Sequence, residues 1–271
     1  MLKNYNDHKC KNSIHFIHGN SITPQSYSVL LDQLSINFKL KNFLLRPLFD
    51  KTPMPKFKNW DIFLNDYLIS IKNEDNIIGV GHSIGGNLIL RAALNQPEKF
   101  KKIILLDPTM LVPIKTFFWN IMCFFCVQSK FLPLINKAKN KKMIYNNMSE
   151  IFNSYRNKTI FSNFNNQQLK ELIKSIINHE DDKIKLIFPA EWDARIYAQG
   201  MRNDLKLWNK IKDLNVETII VRASKSNIFY KETENALLKR NNKIKFEIID
   251  GDHFFPINMS NETYDIISKY L

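Results

Sequence analysis

The sequence predicts an α/β fold: a mostly parallel sheet with helices on both faces, interrupted by one helical insertion. Three observations carry this. Short apolar, often β-branched runs alternate with longer helical patterns along the chain. The alternation breaks between about residues 111 and 200, where the pattern predicts helices and no strand. Finally, six of the seven glycines cluster in three short stretches, each at the end of a predicted strand.

In chain order, strands are predicted at 13–17 and 43–46, a helix over 60–71, a strand at 76–80 and a helix over 86–94. A strand at 102–106 precedes the insertion. Within the insertion, 117–127, 147–155 and 167–178 read as helices, with the lysine-rich "NKAKNKK" as a turn. Strands at 216–222 and 243–249, with a helix over 232–238 between them, complete the sheet. Residues 1–110 and 201–271 are therefore expected to form the core. Residues 111–200 form a cap over the carboxyl ends of the strands, where open α/β sheets bind ligands.

The 271 residues suit one large domain with an insertion, and 44% hydrophobic content supports a full core. The net charge of +13 comes mostly from lysines spread along the chain. There is no arginine-rich stripe and no nucleic-acid motif, so nucleic-acid binding is not expected. An acidic carrier protein would suit the charge. The opening "MLKNYNDHKCKN" has no apolar core of a secretory signal, which with three cysteines and no disulfide framework points to the cytoplasm. The most apolar run, "FFWNIMCFFCV" at 117–127, is too short to span a bilayer. Together with its nearby lysines it could instead lie on an acidic membrane surface, although a run apolar nearly all round makes a poor amphipathic helix, and no stable membrane insertion is expected. Cys123 and Cys126 form a CxxC inside that run, which reads as two buried thiols on one helix rather than a redox pair.

The stretch "IIGVGHSIGGNL" places Gly81-His82-Ser83-Ile84-Gly85 between a strand and a helix. This is G-x-S-x-G in the context it needs, a sharp turn that raises the serine hydroxyl above the sheet. The glycines flank the serine because a Cβ there would meet neighbouring backbone. A dinucleotide or phosphate loop fits worse: the third glycine of GxGxxG would be Ile84, and no Lys-Ser/Thr pair follows. A second motif, "IHFIHGNSITP", ends a strand at His18-Gly19-Asn20. The N–H groups of Asn20 and Ile84 are candidates to bind an oxyanion. A third, "FEIIDGDHFFP", leaves His253 at the carboxyl edge of the sheet after Gly251. His15 and His18 lie too close on one strand to suggest metal ligands, and no metal or organic cofactor is implied.

Nucleophile, acid and histidine in that chain order resemble the α/β-hydrolase family. The resemblance runs from about Ser13 to the end, cap included, so the first two strands that many members carry are expected to be missing. "HGN" is similar to the oxyanion loop of haloalkane dehalogenases. Those enzymes use an aspartate at the elbow, and Ser83 cannot perform their chemistry. In the family the third triad member commonly follows the strand matching 216–222, in a pattern similar to "RGxxSD". Here "VRASKSNIFY" puts Asn227 at that place. The substitute is Asp107, in "KKIILLDPTM", because some members take their acid from that strand end. Asp252 adjoins His253 too closely to reach its ring, and Glu191 and Asp193 are expected to hold the cap to the core.

The resemblance thus implies a serine hydrolase cleaving a carboxylic ester, less readily an amide or lactone, through Ser83, His253 and Asp107. Phe117, Phe118 and Trp119 are candidates to contact an apolar acyl group. Two rival readings remain open in the sequence. One is an esterase for acyl groups on an acidic carrier protein. The other is a non-catalytic binder of small molecules on the same scaffold, which Asn227 invites.

Overall fold

The computed structural model describes residues 1–6, 13–202 and 204–271. The chain opens with β1 (Leu2–Asn4) and β2 (Ser13–Ile17), then α1 (Ser28–Ser35), β3 (Lys39–Phe43) and α2 (Asp61–Ser70). Next come β4 (Ile77–His82), α3 (Ile84–Asn95) and β5 (Phe100–Leu106). The insertion holds α4 (Pro113–Phe124), α5 (Gln128–Phe131), α6 (Leu134–Lys139), β6 (Ile144–Tyr145), α7 (Met148–Arg156), α8 (Asn166–Ser175), β7 (Ile177–Glu180), β8 (Lys183–Leu186) and α9 (Ala190–Gln199). The chain closes with α10 (Asp204–Lys210), β9 (Glu217–Ala223), α11 (Lys231–Leu238), β10 (Lys245–Ile249), α12 (Phe255–Asn258) and α13 (Ser260–Ser268).

Seven strands form one sheet in the order β1-β3-β2-β4-β5-β9-β10. All pairs are parallel except β1 with β3. The α/β fold class is therefore the one the sequence predicts. Successive residues of the central strands serve opposite layers: Ile103 and Leu105 pack with α2, α3 and α11, while Ile104 and Leu106 pack with α1 and α13. That is why these strands read as unbroken apolar runs rather than alternating ones.

Three expectations need correction. A strand does precede Ser13: β1 pairs antiparallel at the sheet edge. The second predicted strand lies earlier, at Lys39–Phe43, because the apolar 44–46 run leaves the sheet and turns at Arg46–Leu48. The insertion also contains strands, since β6, β8 and β7 form a small antiparallel sheet. In addition, "NKAKNKK" is not a simple turn, for its first four residues are the last of α6. Cys10 lies outside the described residues; Cys123 is a buried free thiol of α4, but Cys126 is exposed and lies past the helix end, where the chain turns with φ 57°, so the two are not both buried on one helix.

Candidate active site

Ser83 sits between β4 and α3 with φ 58° and ψ −120°, a conformation a side-chain-bearing residue adopts only under constraint. Its amide donates to the Leu106 carbonyl at 3.0 Å, and its carbonyl accepts from Asn87 at 3.2 Å and Thr109 at 3.0 Å. The flanking glycines permit the tight turn by closeness rather than by backbone freedom, for no glycine has positive φ among the described residues. A Cβ on Gly85 would lie 2.0 Å from the Ile17 carbonyl oxygen, and one on Gly81 2.4 Å from that of Gly85.

Asp107 directly follows β5, beside β4 in the register that pairs His82 with Leu106. Its carboxylate is fully buried. One oxygen accepts from the Ala223 amide at 3.2 Å, and the other accepts from the Ser226 hydroxyl and faces His253 Nδ1 at 2.6 Å. A carboxylate can only accept here, so Nδ1 carries the proton and Nε2 presents its lone pair. Nε2 stands 3.0 Å from Ser83 Oγ. Asn227 is exposed, and its backbone carbonyl accepts from the Tyr230 hydroxyl at 2.8 Å. The structure thus brings Ser83, His253 and Asp107 into one hydrogen-bonded line that bypasses Asn227.

Several partners in this line were not singled out from the sequence. Thr109 Oγ1 lies 3.0 Å from Ser83 Oγ. The ring of His82 is buried with Nε2 2.8 Å from the His253 carbonyl, so Nε2 must hold its proton. Nδ1 then accepts from the Tyr27 hydroxyl at 2.7 Å, and that oxygen in turn accepts from the Gly19 amide at 3.0 Å. This directional chain links the "HGN" turn to the backbone of the histidine loop. Burial, and then the charge of nearby His253, hold His82 well below the usual histidine range. His18 is likewise buried and lowered, to about 4, accepting from the Leu45 amide at 3.2 Å through Nε2.

Ile84 opens α3, so its amide has no carbonyl of its own helix to bond. The Asn20 side chain donates to Asp193 at 2.7 Å, and Lys141 pairs with the other Asp193 oxygen at 2.8 Å while reaching Ser21 at 3.0 Å. Asp193 therefore ties the insertion to the "HGN" turn, while Glu191 is exposed. Phe161 and Phe164 from the insertion pack against Phe254, one tilted and one edge-to-face, at 5.6 and 5.9 Å between ring centres, and Phe254 adjoins the His253 ring at 5.7 Å.

The aromatic candidates fare differently. Trp119 is buried inside the insertion, its indole donating to the Gly200 carbonyl at 2.6 Å. Phe117 and Phe118 are exposed, and the groove Phe117 lines contains neither Ser83 nor His253. The structure therefore does not gather these three at the serine. Among the described residues, no group of histidine, cysteine or carboxylate side chains is placed to hold a metal ion.

The model of the family described as serine aminopeptidase, S33 (Hydrolase_4), matches residues 57–251. The chain belongs to this hydrolase family. The match takes in Ser83 and Asp107 and stops two residues short of His253. No curated protein matches the sequence. Among solved structures, this S33-family chain is similar to E-2-(acetamidomethylene)succinate hydrolase, with TM-score 0.79, 15% identity, and 99% of this chain and 93% of that one covered. It is also similar to the thioesterase domain from the curacin biosynthetic pathway, with TM-score 0.75, 15% identity and coverage of 98% and 94%. A thermophilic esterase from Thermogutta terrifontis gives TM-score 0.67, 14% identity and coverage of 100% and 92%. These likenesses concern the α/β-hydrolase fold.

Proposed function

We propose that this α/β hydrolase cleaves a carboxylic ester of a small molecule with an apolar acyl group, by way of an acyl-enzyme on Ser83. The observation that carries the reading is the unbroken line from Asp107 through His253 to Ser83. In this reading His253 takes the serine proton as Oγ attacks the carbonyl. The tetrahedral oxyanion rests on the amides of Asn20 and Ile84. His253 then protonates the leaving alcohol, and water completes the cycle with the same histidine as base. Asp107 fixes the tautomer and stabilises the imidazolium. Residues 111–200 act as the cap over this site.

The family description names an aminopeptidase, which needs a free carboxylate to receive the substrate's terminal ammonium. The carboxylate that reaches the "HGN" turn, Asp193, is already neutralised by Lys141. That removes Asp193 as the receiver of an amino terminus.

The test is labelling by a fluorophosphonate, followed by ester turnover. Fast stoichiometric labelling at Ser83 is expected, together with a fall in kcat of about 10⁴ for Asp107→Asn. Asn227→Ala should leave turnover near that of the parent. A folded protein that fails to label would overturn the reading, and the same loss in both variants would move the acid away from Asp107.

A further inference from the structure

Helix α4 spends only a narrow stripe on packing. Thr116, Trp119 and Cys123 are buried, Trp119 and Cys123 against α6 and α9, at a spacing that marks one face of a helix. The remaining face is apolar and open to solvent. Exposure is 49% for Phe117, 55% for Phe118, 76% for Phe124 and 66% for Phe125, and Phe131 on α5 reaches 67%. Ile114 and Ile121 are exposed on the same helix. Between Phe117, Phe124 and Leu205 runs an open groove of about 530 Å³. Scattered exposed apolar residues need no explanation, but five phenylalanines within fifteen residues form a patch that calls for a partner.

Charge identifies the kind of partner. From Asp107 to Glu150 the chain carries no acidic residue and six lysines, at 115, 130, 137, 139, 141 and 142. Lys115, Lys141 and Lys142 have carboxylate partners. Lys130, Lys137 and Lys139 are exposed and form no ion pair with a described residue. A second copy on this face would oppose lysines to lysines. An anionic lipid surface offers hydrocarbon for the phenyl rings and phosphates for the ammonium groups across the same few ångströms. No described helix is long and apolar enough to cross a membrane, which leaves adsorption in the interface plane.

We propose that the outer face of α4 and α5 docks this protein on anionic membranes, with the phenylalanines entering the headgroup–acyl boundary and the flanking lysines meeting lipid phosphate. The proposal is independent of the reaction at Ser83.

Flotation of the full chain with vesicles tests it, using phosphatidylcholine alone and phosphatidylcholine containing phosphatidylglycerol. The protein should float with the anionic vesicles and hardly with the neutral ones, and added salt should weaken the association. The combined variant Phe124→Ser, Phe125→Ser, Phe131→Ser should partition at least about tenfold less, with an unchanged denaturation midpoint showing that it folds. The combined variant Lys130→Gln, Lys137→Gln, Lys139→Gln should lose the preference for anionic vesicles. Absence of flotation, or equal flotation of parent and phenylalanine variant, would overturn the proposal. So would a dimer in solution that the phenylalanine variant abolishes while vesicles remain unbound, since the occupant would then be a second copy.

Discussion

At the scale of residues, the site rests on groups whose partners lie far away in sequence. Ser226 donates to Asp107 across 119 positions, and its own oxygen receives the amides of Ile228 and Phe229 at 3.0 Å each. The loop after β9 thus stabilises the carboxylate with a hydroxyl instead of supplying one. Glycines at strand ends and their chain order made Ser83 and His253 legible, whereas Asp107 came from the family resemblance, as the strand end that could stand in for Asn227. Tyr27, Thr109 and Ser226 were not legible, because hydroxyls occur everywhere and only the fold reveals what they face. Tyr27 serves two neighbours at once, so Tyr27→Phe strands the Gly19 amide and the His82 lone pair. Leaving such buried groups unpaired should cost about 2 kcal/mol, read as a lower urea midpoint. A variant as stable as the parent would show that water replaces the hydroxyl.

At the scale of elements, the parallel strands were legible because burial on both faces writes them as apolar runs. The sequence of β3, "KLKNF", hides its role, for it buries Lys41 and Asn42. Lys41 is tolerated there because its ammonium reaches Glu74. The small sheet of the insertion escaped notice for a related reason: "INHE" and "KIKL" are short and polar. The elbow between β4 and α3 is the least forgiving junction. A methyl group on Gly85 would have to displace the backbone of β2, which two parallel neighbours hold in place. Gly85→Ala should therefore lower stability by about 3 kcal/mol or more and misplace the Ile84 amide. Denaturant unfolding reads the first effect. The second appears as slower fluorophosphonate labelling in whatever fraction folds.

At the scale of the whole molecule, three buried histidines make the fold sensitive to acid. His15, His18 and His82 are all lowered by burial, so the native chain keeps them neutral while the unfolded chain protonates them near pH 6.5. Their contribution is fully present above about pH 6.5 and drains as pH falls towards the folded values. For His18, with a folded value of about 4, the loss over that window is roughly 3 kcal/mol. Asp204, raised by burial, works in the opposite sense and offsets part of the loss at the acid end. Urea titrations across pH 7.5 to about 4.5 should show a falling midpoint, and a flat profile would mean the rings find water in the native state. The α/β architecture could be read from periodicity, whereas this acid sensitivity could not, since burial of a histidine has no signature in its neighbours.

The contact of Phe161 and Phe164 with Phe254 has a kinetic meaning. Ser83 and Asp107 ride on two strands hydrogen-bonded to each other, whereas His253 rides on a loop wedged by rings from the insertion. The imidazole itself is held by Asp107 and the loop's backbone by His82, so the rings of the insertion add a third support from a separate part of the chain. A motion of the insertion would thus reach the histidine before it reached the serine or the aspartate, as a hand on a railing moves the gate and not the posts.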